Sequence, residues 1–236
     1  MFERELIARP SDVSMNGRMK LRALLDYFQD TAGIAVEGLE GTATELYARG
    51  YAWVLTRYEI YIDGGMPYFD DAFRIVTFHD PNHGYNTLRE FHVFSGDTEI
   101  IRAKSSWFLV DVNTGRPVKP YAHIPEIASR DNEPIADDFH TIPQPDAITH
   151  TAELTVKYHD MDYNAHMNNA VYFEKVYDNL PTMGKLRSIY ASFRSGAKLG
   201  ERIMLEYGHA GDMITCRVNR EGVMKPCAEF ALMLEE

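Results

Sequence analysis

Leu21, Leu24, Leu25 and Phe28 recur at helical spacing and predict an amphipathic helix with one apolar stripe. Four strand-like stretches follow, Ala52 to Ile62, Phe73 to Phe78, Thr87 to Ser95 and Glu99 to Val112, rich in β-branched and aromatic residues. The same order returns in the second half of the chain. Ala170, Phe173, Tyr177 and Leu180 mark a helical stripe that Pro181 ends, and Ser188 to Phe193, Arg202 to Tyr207, Met213 to Asn219 and Val223 to Leu234 follow as strands. One helix followed by several antiparallel strands, twice over, predicts an α+β chain made of two like units.

The repeat has a register. Setting Asn16 against Asn164, an offset of 148 residues, also pairs Met19 with Met167 and Asp30 with Asp178. Between the copies, Pro117 to His150 holds six of the eleven prolines together with several Asp, Asn and Ser residues. Proline cannot supply a ladder N–H, so this stretch reads as a linker crossing between two domains. The expected organisation is an N-terminal domain over 1–120, a proline-rich linker over 121–150 and a C-terminal domain over 151–236.

Chemistry concentrates just before the second helix. In Asp160-Met-Asp-Tyr-Asn-Ala-His-Met-Asn-Asn169, residues Asp162, Asn164 and His166 occupy alternate positions. On an extended segment, alternation would aim all three side chains the same way. Asn168 and Asn169 are good N-cap types, so the trio is expected at a helix N-terminus, where partial positive charge and unpaired N–H groups can hold a developing oxyanion. Histidine is the side chain suited to proton transfer near neutrality, a carboxylate can orient it, and an asparagine amide can donate to a carbonyl oxygen. The trio reads as an acyl-transfer site. The first copy has Ser14, Asn16 and Arg18 at the matching positions, so only one of two ancestral sites is expected to be active.

Composition narrows the partners. With 236 residues, 45% of them hydrophobic, the chain can bury a sizeable core, and its net charge of -11 argues against nucleic acid as a partner. No apolar run is long enough to span a membrane, and Met-Phe-Glu-Arg-Glu-Leu has neither signal-peptide nor transit-peptide character, so a cytoplasmic location is expected. There Cys216 and Cys227, flanking a hairpin turn near Glu221-Gly222 and able to lie opposite one another on paired strands, would be thiols. His159, Asp160, Asp162 and His166 are rich in metal donors but lack a ligand spacing, and no phosphate loop or Gly-x-Ser-x-Gly elbow is visible. The expectation is therefore no metal and no cofactor.

Asp160 to Asn169 resembles the active-site motif of the acyl-acyl carrier protein thioesterases of plants and bacteria. Trp53-Val-Leu-Thr-Arg57, Ile101 to Phe108 and Asp111-Val-Asn-Thr-Gly-Arg-Pro117 are similar to that family's N-terminal patterns, so the resemblance covers most of the chain. It implies two tandem hotdog domains forming a pseudo-dimer, each a long helix wrapped by an antiparallel sheet. It further implies hydrolysis of fatty acyl-acyl carrier protein thioesters, with Asp162, Asn164 and His166 catalytic and the N-terminal domain holding the acyl chain. Leu24, Leu25, Phe28, Trp53, Trp107 and Phe108 could line that cavity or simply form core. Acyl carrier protein is acidic, so a carrier partner requires a basic patch, for which Arg18, Lys20 and Arg22, or Lys185, Arg187, Arg194, Lys198 and Arg202, are candidates. Exposed sheet edges leave a homodimer open.

One segment departs from the family pattern. The plant enzymes carry Glu-Cys where this chain has Gly196-Ala197, so neither acid-base chemistry nor a cysteine nucleophile is available there, and water attack is expected. Hydrolysis of coenzyme A thioesters, hydration of an enoyl thioester, and acyl binding without catalysis stay open as alternatives.

Overall fold

The computed structural model describes residues 1–37, 41–124 and 134–235, with residues 81–83 described in backbone only. The chain divides into two compact units: residues 1–56 with 62–138, and residues 57–61 with 139–236. The division falls inside the proline-rich stretch, of which 125–133 lie outside the described residues, as does Glu236.

The first unit contains β1 (Phe2–Ile7), α1 (Leu21–Ala35), α2 (Ala43–Ala48), β2 (Tyr51–Ile62), β3 (Ala72–His83), β4 (Asn86–Ser95), β5 (Thr98–Asp111), β6 (Arg116–Val118) and α3 (Pro120–His123). Its strands order as β1-β3-β4-β5-β2, with β6 on β5. The pairs β1-β3, β3-β4, β4-β5 and β5-β6 are antiparallel. The predicted stripe of α1 is the buried one: Leu21, Leu24, Leu25 and Phe28 are inside, joined by Tyr27, Thr31 and Ala35. Phe28 stacks on Phe91 with ring centroids 4.5 Å apart, and Tyr27 meets Phe73 edge-on at 5.4 Å. Aromatic contacts of this kind add to the area that burial removes from water, and they fix the helix against one face of the sheet.

The second unit contains β7 (Ile148–Thr155), α4 (Asn169–Asp178), β8 (Lys185–Phe193), β9 (Arg202–Ala210), β10 (Met213–Arg220) and β11 (Ala228–Glu235). Residues Arg57–Tyr61 of β2 begin its sheet, which continues β8-β11-β10-β9-β7, antiparallel throughout. Around α4 the buried arc is wider than the predicted stripe and takes in Val171, Tyr172 and Val176. Phe173 is its centre, edge-on to Phe230 at 5.2 Å and to Tyr58 at 6.0 Å.

Residues 134–145 form neither helix nor strand. Their backbone is held by strand side chains instead. In the first unit the Asp80 carboxylate accepts the Ile135 N–H at 3.0 Å, and Lys104 binds the Ala136 carbonyl and pairs with Asp138. In the second, buried Glu59 accepts the His140 N–H, and the His140 ring stacks on Tyr190 at 4.7 Å.

Three local expectations change. β1 and β7 add a strand at each end of the sheet order; β1 alternates half-buried with exposed residues, and the first half of β7 is exposed throughout. The last strand begins at Ala228, not Val223, since Gly222 turns the chain at φ +76° and Pro226 has no ladder N–H. Cys216 and Cys227 do not face one another: Cys216 pairs with Phe230, and the Cys227 N–H bonds the Val218 carbonyl. Both are buried free thiols.

Candidate active site

Asp160 to Met167 is a tight hairpin, which corrects the expectation of an extended segment. A single turn of 3-10 helix (Tyr158–Asp160) leads into a bridge between Met161 and Met167. Between them the Asp162 N–H donates to the His166 carbonyl at 2.7 Å, and Ala165 takes a left-handed φ of +58°. The reversal is set by the Asp162 side chain, whose Oδ1 accepts the backbone N–H of Asn164 at 2.9 Å and that of His166 at 3.1 Å. An aspartate that bonds the backbone two residues on forms a turn in preference to a strand. The carboxylate therefore binds the His166 backbone, and among the described residues it makes no hydrogen bond to the imidazole.

The hairpin delivers its residues to the start of α4. The Asn168 N–H bonds the Asp160 carbonyl at 2.8 Å, and the Asn168 side chain caps the helix by accepting the Ala170 N–H at 2.8 Å. This leaves the Asn169 N–H without an acceptor among the described residues. Asn164 is half-buried, and its Oδ1 is buried without a hydrogen-bond partner. His166 is exposed, reachable by water and by a large substrate.

Gly196 lies against the imidazole. A Cβ on this glycine would stand 2.6 Å from His166 Cδ2 and 2.7 Å from Cγ, so the ring fills the space that any side chain here would need. The neighbouring Ala197 carbonyl accepts the Met167 N–H at 2.8 Å, and the Ala197 N–H donates to the Tyr172 hydroxyl at 2.8 Å. Arg220 bonds the Gly196 carbonyl at 3.1 Å and the Ser195 hydroxyl at 3.2 Å, fixing this loop from the other side. The Cys227 thiol donates to the Val218 carbonyl at 3.1 Å, and burial pushes its pKa up, which makes it a neutral packing group. The sequence signal that could have found Tyr172 is its place opposite Leu24 in the 148-residue register.

The first unit carries the same hairpin without the chemistry. Val13 bridges Met19, Gly17 has the left-handed φ (+76°), the Lys20 N–H bonds the Asp12 carbonyl, and the Met19 N–H bonds the Pro67 carbonyl at 2.8 Å. Here the acceptor for the Arg18 N–H is Asn16 Oδ1, at 3.0 Å, and Ser14 also bonds that oxygen. Asn16 thus holds its own turn, whereas in the second unit Asp162 does so and leaves the Asn164 amide untied to the backbone.

Most of the candidate basic residues are already paired with acids. Arg194 pairs with Glu229, Arg202 with Glu221 and Glu153, Lys185 and Arg187 with Glu235, and Arg22 with Asp26. Arg18 bonds the Met66 carbonyl and lies over the Tyr68 ring, and Lys20 bonds the Ser11 carbonyl. No group of three or more His, Cys, Asp or Glu able to hold a metal occurs among the described residues. No helix among them is long and apolar enough to cross a membrane.

Solved structures of an acyl-ACP thioesterase from Bacteroides thetaiotaomicron (TM-score 0.83, 24% identity, covering 99% of this chain and 97% of that one) and of a 12:0-ACP thioesterase from Umbellularia californica (TM-score 0.84, 16% identity, 99% and 96%) share the fold, which is of the hotdog type. A palmitoyl-acyl carrier protein thioesterase of Gossypium hirsutum is 26% identical over 201 residues, 77% of this chain and 47% of that protein. The chain thus spans about half the length of the curated relatives it matches. Residues 1–127 match the acyl-ACP thioesterase N-terminal domain and residues 144–213 the acyl-ACP thioesterase C-terminal domain, so the chain belongs to the acyl-ACP thioesterase family.

Proposed function

We propose that the protein hydrolyses fatty acyl-acyl carrier protein thioesters to free fatty acid and the carrier's thiol. It would act as two tandem hotdog domains arranged as a pseudo-dimer, with residues 1–120 holding the acyl chain, 121–150 linking, and 151–236 carrying the catalytic groups. The observation that carries this reading is the division of labour in the hairpin. Asp162 secures the backbone N–H groups, so the Asn164 amide and the His166 ring are left to act at the N-terminus of α4.

In this reading the thioester carbonyl rests at the start of α4. Asn164 and the Asn169 N–H hold the developing oxyanion, stabilised further by the positive end of the helix. His166 takes a proton from water as that water attacks the carbonyl carbon. The carbon–sulfur bond breaks, and the thiolate leaves readily because thiols are far stronger acids than alcohols. No side chain is needed at position 196, and water is the nucleophile. The basic residues Lys157 and Lys198, beside the hairpin, support a carrier approach from this side, and the buried free thiols fit a reducing compartment.

Thiol release tests the proposal directly. Purified protein is assayed with acyl-carrier and coenzyme A thioesters of graded chain length, beside His166→Ala and Asn164→Ala. Turnover of the carrier thioester that both variants lose supports the reading. Wild-type turnover in His166→Ala removes the base, and a hydroxyacyl product, detected by mass, would assign a hydratase instead.

A further inference from the structure

We infer that Tyr172 and Gly196 are positioning residues that together fix the His166 imidazole, an inference that rests on the catalytic role proposed for His166. Three contacts form a closed support. The Tyr172 hydroxyl accepts the Ala197 N–H, the Ala197 carbonyl accepts the Met167 N–H, and Gly196 lies so close to the His166 ring that a Cβ there would stand 2.6 Å from Cδ2. Tyr172 is itself immobile: it is 2% exposed on α4, packed edge-on to Phe193 at 5.7 Å. Its hydroxyl is neutral, since burial pushes its pKa up, and its oxygen accepts the Ala197 N–H at 2.8 Å.

The first unit is an internal control for this inference. By the 148-residue register Tyr172 corresponds to Leu24 and His166 to Arg18. The loop at 196–201 has its own counterpart at 66–71. Asp70 and Gly200 are both left-handed, and Asp71 and Glu201 accept the backbone N–H groups of Tyr68 and Lys198 respectively. Met66 then stands for Gly196 and Pro67 for Ala197. Pro67 has no N–H and Leu24 has no hydroxyl, so donor and acceptor are missing together. The residue under the ring has gained a side chain, and the ring itself has become a flexible guanidinium. The carbonyl bond to Met19 nevertheless stays at 2.8 Å, equal to its counterpart on Met167. What is common to both units is the hairpin's anchorage. What the second unit adds, namely hydroxyl, N–H and bare glycine, coincides with the imidazole.

The fold needs none of these additions, because the first unit folds the same hairpin without them. Their effect falls on where the ring stands, and catalysis is sensitive to that: a displacement of about 1 Å can cost on the order of 100-fold in rate.

The test compares Tyr172→Phe, Gly196→Ala and His166→Ala, each assayed for kcat and KM with an acyl-carrier thioester and each examined by NMR of histidine-labelled protein. The His166 signal is the one of nine that His166→Ala removes. Tyr172→Phe is expected to lower kcat about tenfold and Gly196→Ala about 100-fold, with KM within twofold. Both should shift the His166 signal while those of the other histidines stay in place. In the His166→Ala background, Tyr172→Phe should cause no further loss. If His166→Ala is inactive but Tyr172→Phe has wild-type kcat and an unmoved His166 signal, the positioning role is overturned and the hydrolase reading stands. Lower thermal stability with unchanged kcat and signal has the same meaning. Wild-type turnover by His166→Ala defeats the reading itself. Should Gly196→Ala fail to fold, Tyr172→Phe decides alone.

Discussion

Asp162 Oδ1 accepts the backbone N–H of His166 at 3.1 Å, with the N–H of Asn164 on the same oxygen at 2.9 Å. The carboxylate acts on the chain that carries the histidine. An asparagine in its place keeps an oxygen at Oδ1, turns the other oxygen into an amide NH₂ and removes the charge. Asp162→Asn is therefore expected to retain kcat within about tenfold, whereas Asp162→Ala leaves two N–H groups without their acceptor and should lose about 1–3 kcal/mol of stability together with most activity. Thermal melts and thiol release on both variants check this. A charge-dependent role in orienting the imidazole would make Asp162→Asn as inactive as Asp162→Ala.

Asn164 is half-buried, and its amide oxygen is buried without a hydrogen-bond partner. Asn16, its counterpart, uses its oxygen on the Arg18 N–H. Asn164→Ala is expected to lower kcat by about 10²–10³ with little change in KM or melting temperature, as removal of one oxyanion donor does elsewhere. If the melting temperature falls and kcat of the folded enzyme does not, Asn164 is a turn residue like Asn16.

Much of this was legible along the chain because it is local. The stripe of α1, the helix after Asn168 and the strand interiors follow from spacing of three to four or of two residues. The sequence reads as extended around Asp162 for an identifiable reason. Asn16-Gly17 in the first copy spells a turn, but the second copy has Asn164-Ala165, with alanine at the left-handed position, and so omits the glycine that marks a reversal. The contact of Gly196 with His166 spans thirty residues and depends on how a loop closes over a hairpin, which no periodicity encodes.

Ala165 therefore holds a conformation that suits glycine. A left-handed backbone costs an L-residue about 1–2 kcal/mol, while glycine gives back about 0.5–1 kcal/mol through the freedom it gains in the unfolded chain. Ala165→Gly is expected to stabilise the protein by up to about 1 kcal/mol, visible as a higher midpoint in urea. Gly17→Ala should do the reverse more strongly, because its Cβ would also meet the Tyr68 ring at 2.3 Å. Equal midpoints for wild type and Ala165→Gly would mean that the turn relaxes around alanine without strain.

Asp12 gives the first hairpin a pH dependence. It is 5% exposed; burial pushes its carboxyl up, but hydrogen bonds from the Arg9 guanidinium and backbone and from the Tyr27 hydroxyl outweigh this and hold it at about 2, below its ordinary 3.8. A carboxyl whose acidity is strengthened by folding contributes stability above its unfolded value, and that contribution disappears as pH falls through the folded value. The size is about 2 kcal/mol at neutral pH, lowered toward about 1 because Arg9 is largely exposed and screened by solvent. Asp12→Asn should therefore melt at lower temperature than wild type at pH 7, and the gap should hold down to about pH 4, narrow below it and close near pH 2. Thermal melts of both proteins across that range measure it. A gap that is unchanged between pH 7 and pH 2 would show that Asp12 contributes through shape and hydrogen bonding alone, with no part for its charge.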